Sequence, residues 1–268
     1  MSKLLRRSTV IAVLVLGITG FVWGQSSLQV MSSGGMQYLA NAQGMTLYYF
    51  AKDAGGKSAC SGGCAKYWPP FGSSNLTVPA SLQSSSFGTI NRPDGSIQTT
   101  YDGWPLYTFA GDTKPGQTNG QGFKGVWFVA SVPFYTVMDA SSSSLGGNYL
   151  VNGDGKTLYY FTKDSAGKSV CNGGCAQLWP PYDPSRITLP SDLKASSFSM
   201  VTRSDGSQQL AYKGYPLYTF VKDSSRGQAT GEGFRKVWYV IDPAKFHPGA
   251  SASSGYGGST AVAYGRSR

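Results

Sequence analysis

Short apolar and aromatic segments, separated by Gly, Asn, Asp and Ser, recur along the chain. Leu47–Phe50 reads L-Y-Y-F, and Val126–Val129 reads V-W-F-V. Alternation in the first segment places Tyr48 and Phe50 on one face of a strand and Leu47 on the other. After the N-terminal region, no run of ten residues has helical periodicity. We therefore predict short β-strands joined by turns, with one short helical turn at each C-x-G-G-C stretch.

The N-terminal region has a different pattern. Basic residues precede the apolar run Val10–Trp23, whose 14 residues are few for a membrane span. Val22 and Gly24 satisfy the small-residue preference of a cleavage site. We predict that residues 1–24 are a signal peptide and that the protein is exported; the alternative is an uncleaved anchor. No cysteine lies directly after the apolar run, so we do not expect a lipid-anchored N-terminus.

A gapless duplication organises the rest of the chain. The segment Leu47–Val129 reappears 111 residues later. Gly44–Pro70 and Gly155–Pro181 are identical at 19 of 27 positions. Gly116–Val129 likewise matches Gly227–Val240. A repeat at a fixed period indicates that one structural unit occurs twice.

Each copy of the duplication contains two half-repeats. The pattern G-x-x-L-Y-x-F-x-x-D occurs four times, and a tryptophan follows each tyrosine of the pattern by 20 residues. The first half-repeat of each copy continues with C-x-G-G-C and W-P-P, and the second with a Gly/Asn/Gln-rich loop and V-W-[FY]-V. The motif residues are Tyr48, Phe50, Asp53 and Trp68; Tyr107, Phe109, Asp112 and Trp127; Tyr159, Phe161, Asp164 and Trp179; and Tyr218, Phe220, Asp223 and Trp238.

Turn and linker signals lie between these segments. Asp94-Gly95 and Asp205-Gly206 each lie between two strand-like segments, and Asp-Gly supplies the positive φ angles that tight hairpins require. The stretch Met138–Gly147 is rich in Ser and Gly, which predicts a linker.

These signals predict an all-β fold. We expect two tandem homologous antiparallel β domains, at 36–140 and 146–246, each built from two half-repeats. A Gly/Ser-rich tail over 250–268 has little to bury and is predicted to be disordered. The alternative is a closed, propeller-like arrangement of four units, which would leave only short, protected strand edges.

The amino-acid composition excludes two kinds of active site. The 268 residues include one histidine, His247, and one glutamate, Glu232. This excludes a zinc site built on several histidines and a glycosidase with two catalytic glutamates. The formal charge is +10, and cleavage of the signal peptide would leave +7 by removing three basic residues. This composition favours a non-enzymatic protein over an enzyme and does not decide between them.

The cysteines are the most distinctive chemical groups. Cys60 and Cys64, and likewise Cys171 and Cys175, are four residues apart, which permits a local disulfide in an exported protein. The alternative is a redox-active dithiol or a soft-metal site, with copper as the candidate metal.

The repeated aspartates and aromatics have two interpretations each. We expect the aspartates to end strands and to accept hydrogen bonds from the following turns. General acid–base chemistry is a weaker interpretation, because four interchangeable copies are not typical of a catalytic site. The aromatics are predicted to form the core. The alternative is an exposed aromatic ladder that stacks against sugar rings or a polyene.

These residues resemble a known bacterial family. The fourfold Y-x-[FWY]-x-x-D pattern, combined with C-x-G-G-C and W-P-P, is similar to the predicted lipoproteins with the YX(FWY)XXD motif, also called the secreted repeat of unknown function. The resemblance covers roughly residues 39–242. It implies an exported, envelope-associated, β-rich protein and no particular activity.

Two functional hypotheses follow. The first is a non-enzymatic structural or binding component of a surface or envelope assembly, located in the periplasm, cell envelope or cell surface. Its expected partners are envelope or surface-layer proteins, acidic wall polymers or anionic lipids, and not nucleic acid. The second is an envelope copper-binding or thiol redox protein that protects against oxidants such as superoxide.

Overall fold

The computed structural model describes residues 26–247, so the predicted signal peptide and the predicted tail lie outside the described residues. We call residues 26–136 unit 1 and residues 137–247 unit 2.

The elements of unit 1 are β1 (Ser26–Ser27), β2 (Gln29–Ser33), β3 (Met36–Ala40), β4 (Tyr48–Phe50), α1 (Gly63–Tyr67), β5 (Leu76–Thr77), β6 (Phe87–Asn91), β7 (Ile97–Tyr101), β8 (Trp104–Pro105), β9 (Trp127–Val129) and β10 (Ser131–Val132). Those of unit 2 are β11 (Val137–Ser142), β12 (Gly147–Asn152), β13 (Tyr159–Phe161), α2 (Gly174–Leu178), β14 (Phe198–Thr202), β15 (Gln208–Tyr212), β16 (Tyr215–Pro216) and β17 (Trp238–Val240). Short 3-10 turns occupy Ala51–Asp53, Ser84–Ser86, Ala195–Ser197 and Phe234–Lys236.

The predicted β class is confirmed. The described strands form small two- and three-stranded sheets, antiparallel except for the pair β1 and β5. Both C-x-G-G-C stretches contain the predicted short helix, in α1 and α2. Within residues 26–247 no helix has the length and apolar character needed to cross a membrane.

The hairpins form where Asp-Gly predicts them. Strands β6 and β7 pair from Phe87 to Tyr101, and the turn between them contains Gly95 at φ 81°. The Asp94 carboxylate accepts a hydrogen bond from the Ser96 backbone N–H at 3.0 Å, which closes the turn locally. The pair β14 and β15 repeats this geometry around Gly206, at φ 83°.

The aromatic strands connect the two half-repeats of each unit. Tyr48 and Tyr107 exchange two backbone hydrogen bonds, at 2.8 and 2.9 Å. Strand β4 pairs on its other side with β9 of the second half-repeat, and Tyr107 forms a bridge with Pro70 of the first. Each aromatic strand thus pairs with the tryptophan segment of the opposite half-repeat, so the two half-repeats interleave.

Unit 2 repeats this pairing. Tyr159 and Tyr218 exchange backbone hydrogen bonds at 2.8 and 2.9 Å. Strand β13 pairs with β17, and Tyr218 forms a bridge with Pro181. Four repeated segments therefore form two units of the same local topology. The closed, propeller-like alternative is not shown by this arrangement.

The predicted linker at Met138–Gly147 is wrong. This stretch lies within the antiparallel hairpin of β11 and β12. Met138 and Ala140 are fully buried there, so the apolar residues before the serines, and not the serines themselves, decide its structure. The hairpin is the unit 2 counterpart of β2 and β3. One hydrophobic cluster includes Tyr49 of unit 1 and Tyr149 of unit 2, so the two units pack against each other. The domain limits 36–140 and 146–246 remain predictions.

Residues that differ between the copies join the units. The Trp104 indole N–H donates to the Gly153 carbonyl at 2.8 Å. The Arg226 guanidinium donates to the Asp102 carbonyl at 2.9 Å and lies 5.3 Å from the centre of the Trp104 ring. The counterpart of Arg226 in unit 1 is Pro115, which cannot make these contacts.

The Asp-Gly turn gives a test of backbone conformation. A Cβ at Gly95 or at Gly63 would meet no atom within 4 Å, but only Gly95 has a positive φ. We expect Gly95→Ala to lower the free energy of unfolding by about 1 kcal/mol through strain alone. Gly63→Ala is the matched control and should be neutral or stabilising. Urea unfolding of both variants checks this, and equal midpoints would contradict it.

Candidate functional site

The motif tyrosines and aspartates meet across the two half-repeats. The Tyr48 hydroxyl donates to the Asp112 carboxylate at 2.6 Å, and the Tyr107 hydroxyl donates to Asp53 at 2.5 Å. Each half-repeat therefore supplies the donor to the other's acceptor. The same exchange in unit 2 joins Tyr159 to Asp223 at 2.7 Å and Tyr218 to Asp164 at 2.6 Å.

The second carboxylate oxygen of each aspartate orders a loop. Asp53 accepts from the Ala59 backbone N–H at 2.7 Å, just before the first cysteine. Asp112 accepts from the Asn119 backbone N–H at 2.9 Å, in the Gly/Asn-rich loop. Each motif aspartate thus accepts the expected hydrogen bond from the following turn. It also accepts one from a tyrosine of the opposite half-repeat, which the sequence did not predict.

The motif phenylalanines and tryptophans form a column of stacked rings. In unit 1, Trp68 and Trp127 stack with ring centres 3.9 Å apart and planes at 1°. Phe50 stacks on Trp127 at 4.1 Å, and Phe109 stacks on Trp68 at 4.3 Å. The column of unit 2 runs Phe161, Trp238, Trp179 and Phe220, with centre separations of 4.3, 3.9 and 4.1 Å. Each phenylalanine stacks on the tryptophan of the opposite half-repeat.

A buried arginine, missed by sequence reasoning, supports the cysteine loop. Arg92 is 5% exposed and donates to the Cys60 carbonyl and to the Gln98 side chain, both at 2.7 Å, and to the Ser58 hydroxyl. Ser58 also hydrogen-bonds the Tyr107 hydroxyl at 2.8 Å, which connects this arginine to the tyrosine–aspartate exchange. The signal was the pattern R-x-D-G-S, which occurs at both hairpins.

Unit 2 repeats the arginine contacts. Arg203 donates to the Cys171 carbonyl at 2.6 Å, to Gln209 at 2.5 Å and to Ser169 at 2.9 Å. Ser169 in turn hydrogen-bonds the Tyr218 hydroxyl at 2.7 Å. Each unit therefore contains its own buried hydrogen-bond network, which joins the Asp-Gly hairpin, the cysteine loop and a motif aspartate.

Burial sets the protonation of this network. It raises the pKa of Asp53 to about 7, against the hydrogen bonds from Tyr107 and Ala59 and the charge of Arg92, which lower it. Burial and the neighbouring carboxylate raise the pKa of Tyr107 well above its usual range, so the phenol stays protonated. Asp53 and Tyr107 are both fully buried. This pair can stabilise the fold, but it offers no surface on which a substrate could meet it.

The predicted disulfides are confirmed. Cys60 is bonded to Cys64 and Cys171 to Cys175, with Cα atoms 5.3 and 5.2 Å apart. In the described part of the chain, no group of three or more His, Cys, Asp or Glu is placed to hold a metal. Copper binding by these sulfurs would require reduction of the bridges.

The fold and its buried network define a tandem-repeat β protein in which two half-repeats complete one structural unit. A family described as a secreted repeat of unknown function matches at residues 32–71, 88–131, 143–182 and 199–242. The chain belongs to this family, as its motifs predict. Its four matches correspond to the four half-repeats. Comparisons with curated proteins and with solved structures give no match.

The tyrosine–aspartate exchange can be tested by removing one hydroxyl. We expect Tyr107→Phe to lower the free energy of unfolding by about 1–3 kcal/mol, because the Asp53 carboxylate loses a buried donor. Tyr67→Phe is the control, since Tyr67 is 68% exposed, and it should change stability by less than about 0.5 kcal/mol. Chemical denaturation measures both, and equal effects would contradict the role assigned to Tyr107.

The pKa of Asp53 gives a second test. Its folded value of about 7 lies above the unfolded value of 3.8, so folding takes up a proton between these pH values. Stability should therefore fall as pH rises from about 4 to about 7, and Asp53→Asn should reduce that fall by about 2–4 kcal/mol. Burial also raises the pKa of Asp139 to about 7, so Asp139 would account for part of the fall in stability that remains in the Asp53→Asn variant.

The control for this test is Asp94→Asn. Hydrogen bonds from Ser96 lower the pKa of Asp94, so ionisation of Asp94 favours the folded state, whereas ionisation of Asp53 disfavours it. This variant should leave the fall between pH 4 and 7 in place. Urea unfolding across this pH range checks both variants, and an unchanged pH profile for Asp53→Asn would contradict the assignment.

Proposed function

We propose that this protein is an exported, non-enzymatic structural or binding component of a cell-envelope or surface assembly. The observation that carries the proposal is the reciprocal exchange. The repeated tyrosines, aspartates and tryptophans, which are the most distinctive groups of the family motif, bond to one another inside each unit. Such an arrangement supports a rigid scaffold, and binding would then fall to the outer surface and its loops.

The charge distribution supports acidic partners. Five of the 13 acidic side chains are buried, namely Asp53, Asp112, Asp139, Asp164 and Asp223. Only two of the basic side chains in residues 26–247, Arg92 and Arg203, are buried to the same degree. The outer surface is therefore more basic than the net charge indicates. Acidic wall polymers, acidic surface-layer proteins and anionic lipids are the partners that such a surface attracts over long range.

The secreted character of the family supports export, and the periplasm, cell envelope and cell surface are the compartments we propose. The copper or thiol redox alternative receives no support from a particular contact, because the sulfurs of both cysteine pairs are bonded to each other.

Fractionation of the native cells tests the proposal. We expect the protein in the envelope fraction at low ionic strength and its release by high salt, because salt screens charge attraction between exposed groups. Reducing agent alone should not release it. Recovery as a free monomer at every ionic strength, or retention that salt does not affect, would contradict the proposal.

A further inference from the structure

One end of the ring column of unit 1 reaches the surface. In unit 1, Phe109 is half-buried, and Phe123 contacts both Phe109 and Trp68, at 5.7 and 5.8 Å between ring centres. Phe123 is 40% exposed and Tyr67 is 68% exposed. The Tyr67 carbonyl accepts from the backbone N–H of Ala110, next to Phe109, which holds Tyr67 beside the column. The other end, at Phe50, is buried.

Unit 2 has an apolar surface at the same place, although its column-end ring, Phe220, is buried and the surface is formed by half-buried Phe234 and by Val221. Phe234 contacts Trp179 and Phe220 as Phe123 contacts Trp68 and Phe109, at 5.7 and 5.6 Å. Val221, beside Phe220, is 54% exposed. We call these two surfaces the column-end patches. The patch of unit 1 comprises Tyr67, Phe109, Phe123, Lys66 and Lys124, and that of unit 2 comprises Leu178, Val221, Phe234, Lys222, Arg235 and Lys236.

Basic residues in a strained conformation border both patches. Lys124 has φ 52°, and its Nζ lies 5.7 Å from the centre of the Phe123 ring. Arg235 has φ 51°, and its guanidinium carbon lies 5.6 Å from the centre of the Phe234 ring. Lys236 follows at φ 58°, where unit 1 has Gly125. A non-glycine residue in the left-handed region costs about 1–2 kcal/mol, and such strain concentrates at functional sites.

The patch cations have no carboxylate partner within ion-pair distance. The three ion pairs found among residues 26–247 involve Arg92, Arg203 and Lys245, none of which belongs to a patch. The basic side chains of the patches are exposed. They are therefore available to an external anion, directly beside partly exposed rings.

The chemistry of the patches favours one class of ligand. Aromatic faces carry partial negative charge and pack well against the polarised C–H groups on the face of a sugar ring. A cation within 6 Å of the centre of such a ring suits a carboxylate carried by the same sugar. The helices of the described chain, α1 and α2, have five residues each and provide no amphipathic helix for insertion into a bilayer. A uronic acid polymer therefore fits better than a lipid surface.

We propose that the two column-end patches bind acidic polysaccharide, with pyranose rings against Phe123 and Phe234 and sugar carboxylates on Lys124, Arg235 and Lys236. This inference rests on the proposed binding role and names the ligand class. One chain carries two patches, so a long polymer that reaches both is bound with a gain in avidity.

The positive φ angles give a variant that separates binding from folding. The triple variant Lys124→Gly, Arg235→Gly and Lys236→Gly removes three charges and relieves strain at each position. Its Tm should be no lower than that of the parent, while its affinity for polygalacturonate falls roughly tenfold. The control variant Lys57→Gln, Lys168→Gln and Lys194→Gln removes three exposed charges outside the patches and should lose less than about threefold in affinity.

Calorimetric titration of the full exported chain with four probes identifies the ligand class. We expect polygalacturonate to bind more tightly than polyglutamate of equal charge density, neutral dextran, or phosphatidylglycerol–phosphatidylcholine vesicles. The double variant Phe123→Leu and Phe234→Leu keeps apolar side chains and should lose the preference for polygalacturonate over polyglutamate. Equal binding of both polymers by the parent, or a preference for vesicles, would overturn the proposal.

Two further results would also overturn it: an equal loss in the control variant, or full affinity in the glycine variant. Envelope fractionation keeps the two proposals distinguishable. If salt-sensitive envelope retention persists while polygalacturonate does not bind, the ligand assignment is wrong and the proposed function stands. If retention is absent as well, both are wrong.

Discussion

The fold depends on a hydrogen bond that no half-repeat can make alone. Tyr48 donates to the aspartate of the second half-repeat, and Tyr107 donates to that of the first. Both aspartates are buried, where an unpaired carboxylate is costly. A half-repeat that folded by itself would leave its own aspartate without the tyrosine donor that the other half-repeat supplies. The family motif thus specifies a pair, and this explains why the half-repeats occur in twos.

The other features of each unit follow from this pairing. Once the tyrosine strands lie side by side, each phenylalanine reaches the tryptophan of the opposite half-repeat, and the two tryptophans stack at the centre. The aspartates then fix the cysteine loop and the Gly/Asn-rich loop through backbone N–H groups. Five carboxylates are buried, whereas only two of the basic side chains of residues 26–247 are. Four of the five buried carboxylates belong to the pairing, so the constraint that builds each unit also removes acidic groups from the surface.

Features governed by local chemistry could be predicted from the sequence. Asp94-Gly95 identified its hairpin, the spacing of Cys60 and Cys64 indicated a bridge, and alternation identified the short strands. Partner choice could not be predicted, because identical motifs give no information on whether a tyrosine bonds within its own half-repeat or across to the next. The burial of Arg92 could not be predicted for a related reason, since the acceptors of its hydrogen bonds are a carbonyl and neutral side chains from other segments. Met138–Gly147 was misread because serine content outweighed the apolar residues before it.

The contact between the two units depends on an arginine that only unit 2 has. Arg226 reaches back over Trp104 of unit 1, whereas Pro115, the residue in the same position of unit 1, has no donor with which to reach further back. A third copy placed ahead of unit 1 would lack this connection. The contact at this joint therefore belongs to the second copy and not to the repeated motif. The contacts that join the two units are thus separate from the contacts that build each unit, and one set can change while the other is kept.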